Sequence, residues 1–117
     1  MKAKRTKACE FSGKDRKAIY ARDFGCIFCD LRYHMEGADP YDLQIDGIMH
    51  YIPRSQGGLG IQENGALGCR YHHRMLDNGA EGRREEMLEI FRGYLKRFYP
   101  GWKEEDLVYR KGGKGCF

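Results

Sequence analysis

Apolar residues in this chain recur in blocks whose spacing predicts the elements, and turn-forming residues separate the blocks. Over 82–98, Met87, Leu88, Phe91, Tyr94, Leu95 and Phe98 repeat at helical spacing. That stripe predicts an amphipathic C-terminal helix packed on a core, stopped by Pro100-Gly101. The run "LQIDGIMHYI" is apolar and β-prone, which predicts a strand over 43–51 that Pro53 ends. "ALGC" gives a second short strand near 65–68. Residues 70–77 fit a short helix closed by Asn78-Gly79. An N-terminal helix begins at Ser12, with Asp15 three residues later in a capping-box pattern. Ile19 and Phe24, with Tyr20, make its buried side, and Gly25 stops it in a left-handed conformation. Residues 1–9 read as a frayed basic arm, 30–41 as a loop, "RSQGGLGIQENG" as a glycine-rich loop, and 110–117 as a mobile basic tail. The fold class is α+β, in a single domain over 1–117.

Bulk properties narrow this picture only a little. Charged residues make up 32% and apolar ones 41%, a globular balance. The net charge of +4 permits a nucleic-acid partner without requiring one. No apolar run reaches the roughly 20 residues of a membrane span. No apolar segment follows the basic "MKAKRTKAC", so a secretory signal is not expected. The expected setting is a reducing cytoplasm, where paired cysteines more often hold metal than form disulfides. The cysteine count of five also argues against a full disulfide framework.

The cysteines then change the picture. Cys26-x-x-Cys29 and Cys69-x-x-His72 are two chelating pairs. A two-residue gap lets both ligands reach one ion from a tight turn, and two pairs complete a tetrahedron. This predicts a Cys3His zinc knuckle that ties the end of the first helix to the start of the helix at 70. The competing readings are buried apolar cysteines or a redox dithiol, for which the surrounding βαβ pattern is missing. Cys9 and Cys116 lack metal spacing and read as ordinary thiols.

Four further polar residues gather between positions 50 and 77: His50, Asn64, His73 and Asp77. His73 and Asp77 stand at i and i+4 on the short helix and suit a divalent cation. His50, at a strand end, can lie opposite them. A histidine facing a cation across a gap suits phosphodiester hydrolysis, with the histidine as base. Arg54 is a candidate phosphate contact. Arg70 and Arg74 are candidates for the same contact or for solvated surface arginines, and Arg16, Lys17 and Arg22 on the first helix are candidates to line a nucleic-acid groove or to form a solvated face.

"MHYIPRSQGG" followed by "NGALGCRYHH" resembles the HNH endonuclease family. The likeness spans the motif core at about 20–78, and the C-terminal helix with "YPGW" further resembles small phage-encoded, zinc-stapled members. It implies a ββα-metal core: strand 43–51, a strand near 65–68 and the helix from 70. His50 then matches the general base, Asn64 the loop-steadying asparagine, and His73 the metal-binding histidine. Asp77 falls where a second ligand lies. The resemblance implies DNA as substrate, Mg2+ or Mn2+ as catalytic ion, and structural zinc on Cys26, Cys29, Cys69 and His72. It also implies a bacterial host cell and, by family analogy alone, a phage packaging or restriction partner.

Two positions depart from the family pattern. Met49 stands where many members carry an Asp or His ligand, and a thioether is a poor ligand for Mg2+. The ion then rests on His73 and Asp77, or Asp46 enters from elsewhere on the strand, or the site is weakened. His72 replaces the usual fourth cysteine, which zinc accepts. Met49 keeps open the rival reading of a zinc-stapled DNA- or protein-binding module with a degenerate nuclease site. A zinc-dependent hydrolase of small molecules is the third reading.

Overall fold

The computed structural model describes residues 4–79 and 82–110. Five helices and one antiparallel pair of strands make up its regular structure, together with short 3-10 turns, an α+β arrangement. The helices are α1 (Lys4–Ala8), α2 (Gly13–Arg22), α3 (Ile27–Asp30), α4 (Arg70–Asn78) and α5 (Arg83–Phe98). The strands are β1 (Ile45–His50) and β2 (Gly65–Cys69). No helix among the described residues is long and apolar enough to cross a membrane.

The central unit is β1, β2 and α4 in succession. β1 pairs with β2 from His50↔Gly65 to Ile45↔Cys69, with a bulge between Ile45 and Gly47. α4 starts directly where β2 ends, capped by the Cys69 sulfur. The core lies between this unit and α5. Phe28, Met49, Ala66, Leu76, Met87, Phe91 and Leu95 are all buried there. Each such large apolar side chain contributes about 1.5–3 kcal/mol by leaving water. The predicted α5 stripe largely holds: Met87, Phe91 and Leu95 are buried, whereas Phe98 stays 42% exposed.

The N-terminal third differs from its sequence reading. The capping box at Ser12 forms as expected, with Asp15 N–H donating to the Ser12 hydroxyl oxygen at 3.2 Å. The helix stops at Arg22, however, and its C-cap is Asp23 in extended backbone. Phe24 is 99% exposed and Tyr20 49% exposed, so of the proposed buried side only Ile19 is in the core. The reason is Asp23. Its carboxylate turns inward, accepts Leu67 N–H of β2 at 2.9 Å and accepts the Tyr94 hydroxyl of α5. Arg22 follows it, pairing with Asp23 at 2.6 Å and donating to the Gly65 and Gln62 carbonyls. Arg22 is therefore a buried structural cation and does not line a DNA groove. Its neighbours Tyr94, Phe98 and Tyr99 surround the guanidinium with rings. Burial alone would lower its pKa, but the Asp23 bond and charge outweigh that and raise it.

The frayed arm is also corrected, for residues 4–9. Lys4–Ala8 is helical, and the following Cys9 is only 2% exposed. The predicted tail at 110–117 lies, beyond Arg110, outside the described residues.

Candidate functional site

The Cys3His cluster assembles from three elements. Cys26 caps α3, Cys29 sits within it, Cys69 ends β2, and His72 lies in the first turn of α4. Their ligand atoms all fall within 4.8 Å of one another. The Sγ atoms of Cys29 and Cys69 are 3.6 Å apart. His72 Nδ1 stands 3.6, 3.5 and 3.2 Å from the sulfurs of Cys26, Cys29 and Cys69. Tetrahedral zinc requires sulfurs about 3.8 Å apart and nitrogen about 3.6 Å from sulfur, so the donor set fits such an ion. His72 Nε2–H donates to the Tyr33 carbonyl at 2.6 Å, which leaves the Nδ1 lone pair for a metal. Burial, then the neighbouring Cys26 and Cys69 sulfurs, pushes the Cys29 thiol well above its ordinary range. A bound cation reverses that balance, because it favours thiolate.

A second cluster lines an open cleft of about 580 Å³ bordered by β1 and α4. His50, Asp46, His73, Arg16 and Arg54 contribute to its walls, as do Cys9, Glu10 and Phe11. His50 Nε2–H donates to the Cys9 carbonyl at 2.9 Å. That bond fixes the tautomer and puts the lone pair on Nδ1. Burial lowers the His50 pKa from its ordinary 6.5. The Cys9 bond opposes this shift, and the charges of Arg54 and His73 add to it.

His73 stands between two carboxylates. Asp46 Oδ2 is 3.3 Å from its Nδ1, and Asp77 Oδ2 is 3.5 Å from its Nε2. Nδ1 is itself buried and makes no hydrogen bond, so the approach of Asp46 is close but not aligned for one. A neutral imidazole offers one lone pair, and the two carboxylates stand at opposite ring nitrogens, so an ion at either nitrogen has one of them beside it. Asp46 lines the cleft with His50, whereas Asp77 is not among the lining residues.

Asp46, which the sequence offers only as an alternative ligand, stands closest to the metal-ligating histidine candidate, 3.3 Å from His73 Nδ1. It lines the cleft with Ile48 and His50, at the bulge between Ile45 and Gly47. Gly47 makes the bulge possible, with φ at +146°, where a side chain would be strained. The available signal was strand parity, since 46, 48 and 50 alternate with the buried 49. Met49 is fully buried and packs against Gly68, where an added Cβ would lie 2.5 Å from the Met49 sulfur. It faces the core and takes no part in the cleft.

Asn64 is fully buried and binds backbone only. Its Oδ1 accepts Ile52 N–H at 2.8 Å, and its Nδ2 donates to the carbonyls of Ile52 and Leu59. It cross-links the loop that follows β1 and does not reach the cleft. Arg54 is exposed at the cleft edge, 3.9 Å from Glu10. Arg74 lies outside the cleft, 4.0 Å from Asp42. Comparison with protein-family models, with curated proteins and with solved structures gives no match for this chain.

Proposed function

We propose that this protein is a metal-dependent DNA endonuclease of the HNH type, with a ββα-metal core of β1, β2 and α4 stapled by structural zinc. The observation that carries this reading is the meeting of His50, His73 and Asp46 in one open cleft flanked by Arg16 and Arg54.

In this reading His50 is the general base. Its Nε2–H is held by the Cys9 carbonyl, so Nδ1 takes the proton from a water. The water oxygen forms a bond to phosphorus as the bond to the 3′ oxygen breaks. The departing oxygen takes up a proton from solvent, and the products carry 5′-phosphate and 3′-hydroxyl ends. His73 Nδ1 and Asp46 would hold a Mg2+ or Mn2+ ion, their 3.3 Å separation being close to the about 3 Å between adjacent ligands of such an ion. The ion supplies Lewis-acid charge for the phosphate and the leaving oxygen. Asp77 then orients His73 from the Nε2 side. Arg16 and Arg54 bind neighbouring phosphates, and Asn64 keeps the loop in register.

Met49 favours a second reading, a zinc-stapled binding module with a degenerate nuclease site. Its burial leaves the position without a ligand. A labelled DNA duplex incubated with the zinc-loaded protein and Mg2+ or Mn2+ separates the two. Cleavage blocked by EDTA and by His50→Ala supports the endonuclease. A shifted but intact duplex under every divalent ion supports the module and ends the nuclease reading.

A further inference from the structure

The segment joining α1 to α2 lies outside the His50–Asn64–His73 motif, yet it is built into the cleft. Gly60 N–H donates to the Ala8 carbonyl at 2.9 Å. The Cys9 carbonyl receives His50 Nε2–H at 2.9 Å, and the Cys9 side chain is buried. The Phe11 ring lies 4.6 Å from the His50 imidazole, tilted by 44°. Arg5 of α1 reaches across to the carbonyls of Arg54 and Ser55 at 3.4 and 3.2 Å.

The motif loop is shaped to receive this segment. A Cβ at Gly60 would fall 2.1 Å from the carbonyl carbon of Glu10 and 2.4 Å from Phe11 N. A Cβ at Gly65 would fall 2.6 Å from the Phe11 ring. Both contacts are far below van der Waals distance, so a side chain at either position displaces the segment or the loop. Two glycines on separate elements thus form a socket for residues 8–11.

We infer that residues 8–11 are a positioning device for His50: the Cys9 carbonyl selects the imidazole tautomer, and the Phe11 ring, seated over Gly65, sets its tilt toward the substrate. The role of that imidazole as base rests on the endonuclease reading. The positioning itself is a property of the histidine and can be read without DNA. An imidazole is a competent base only when its lone pair faces the water, and a displacement of about 1 Å can cost about 100-fold in rate.

The test uses the full-length, zinc-loaded protein with 15N-labelled histidine. Long-range 15N–1H spectra report the His50 tautomer, and cleavage of a DNA duplex with Mn2+ reports kcat and KM. The wild type should show His50 as the Nε2–H tautomer. Phe11→Ala and Gly60→Ala should each give a mixture of tautomers. Both should lower kcat by about 10- to 100-fold with a smaller change in KM. Phe11→Tyr, which keeps the ring, should restore both readouts, and Cys9→Ala, which keeps the carbonyl, should leave the tautomer unchanged. An Nδ1–H tautomer in the wild type overturns the inference. So does an unchanged tautomer and kcat in both Phe11→Ala and Gly60→Ala. A wild type that leaves DNA intact, while its His50 tautomer responds as described, supports the positioning and overturns the nuclease reading instead.

Discussion

His72 and His73 are adjacent on α4, yet they serve two differently built places. His72 is fully buried among three cysteines, and its four-donor set closes within 4.8 Å. The His73 side chain is 26% exposed and stands beside the His50 cleft, with one carboxylate at each ring nitrogen. In both rings Nε2 faces an oxygen, but Nδ1 of His72 faces the three sulfurs whereas Nδ1 of His73 faces the Asp46 carboxylate. The difference is closure. A closed set of four donors leaves no coordination position for water or substrate, as in structural sites. An incomplete set in an open cleft leaves positions free, as chemistry requires. A rotation of about 100° between adjacent residues of one helix therefore separates the closed donor set from the open one.

The sharpest way to break this contrast is to attack the fastening. Apparent binding free energies of structural zinc in small folds run to about 10–16 kcal/mol, while a whole domain is stable by about 5–15 kcal/mol. Cys69→Ser, or prolonged chelation, should remove the cooperative thermal transition followed by circular dichroism. Retention of a normal melt would show that the knuckle is not needed for the fold. At the cleft the effect should invert. His50→Ala should lower DNA cleavage by about 100- to 10,000-fold and move the melting temperature by only a few degrees.

A finer contrast lies between the two carboxylates at His73. Asp46→Asn should reduce cleavage by at least about 100-fold, and Asp77→Asn by about 10-fold, as for a group that only orients a ligand. Steady-state rates across a Mn2+ titration will distinguish them, and the reverse order would move the ion to the Nε2 side. The smallest effect is one of pH. His50 must be neutral to accept a proton, and burial lowers its folded pKa. Activity should therefore be present above that pKa and fall off as pH drops through it. The acid limb of the kcat/KM profile should lie below about 6.5, and an acid limb above 6.5 would contradict the assignment.

What the sequence made legible was local. The Cys-x-x-Cys and Cys-x-x-His spacings bring each pair together within one turn, so the knuckle followed from counting. The α5 stripe and the Gly79 cap were likewise set by near neighbours. What stayed hidden depended on distant partners. α2 ends early because Asp23 caps Leu67 of β2, 44 positions away, and this turns Phe24 outward. α1 carries no apolar period, and its order comes from bonds to Gly60, Arg54 and Ser55. Asp46 shares the parity of Ile48 and His50, but its closeness to His73 depends on how α4, a distant segment, packs beside β1.

In the proposed division of labour, the knuckle holds the fold while the cleft performs hydrolysis with a second ion. The most direct measurement is nicking of supercoiled plasmid by protein carrying one equivalent of tightly bound zinc, with Mn2+ then titrated in. The account predicts no nicking without added ion, saturable nicking as Mn2+ rises, and its loss in a folded His50→Ala protein. Cleavage that persists in folded His50→Ala, or that never appears with any divalent ion, would contradict it.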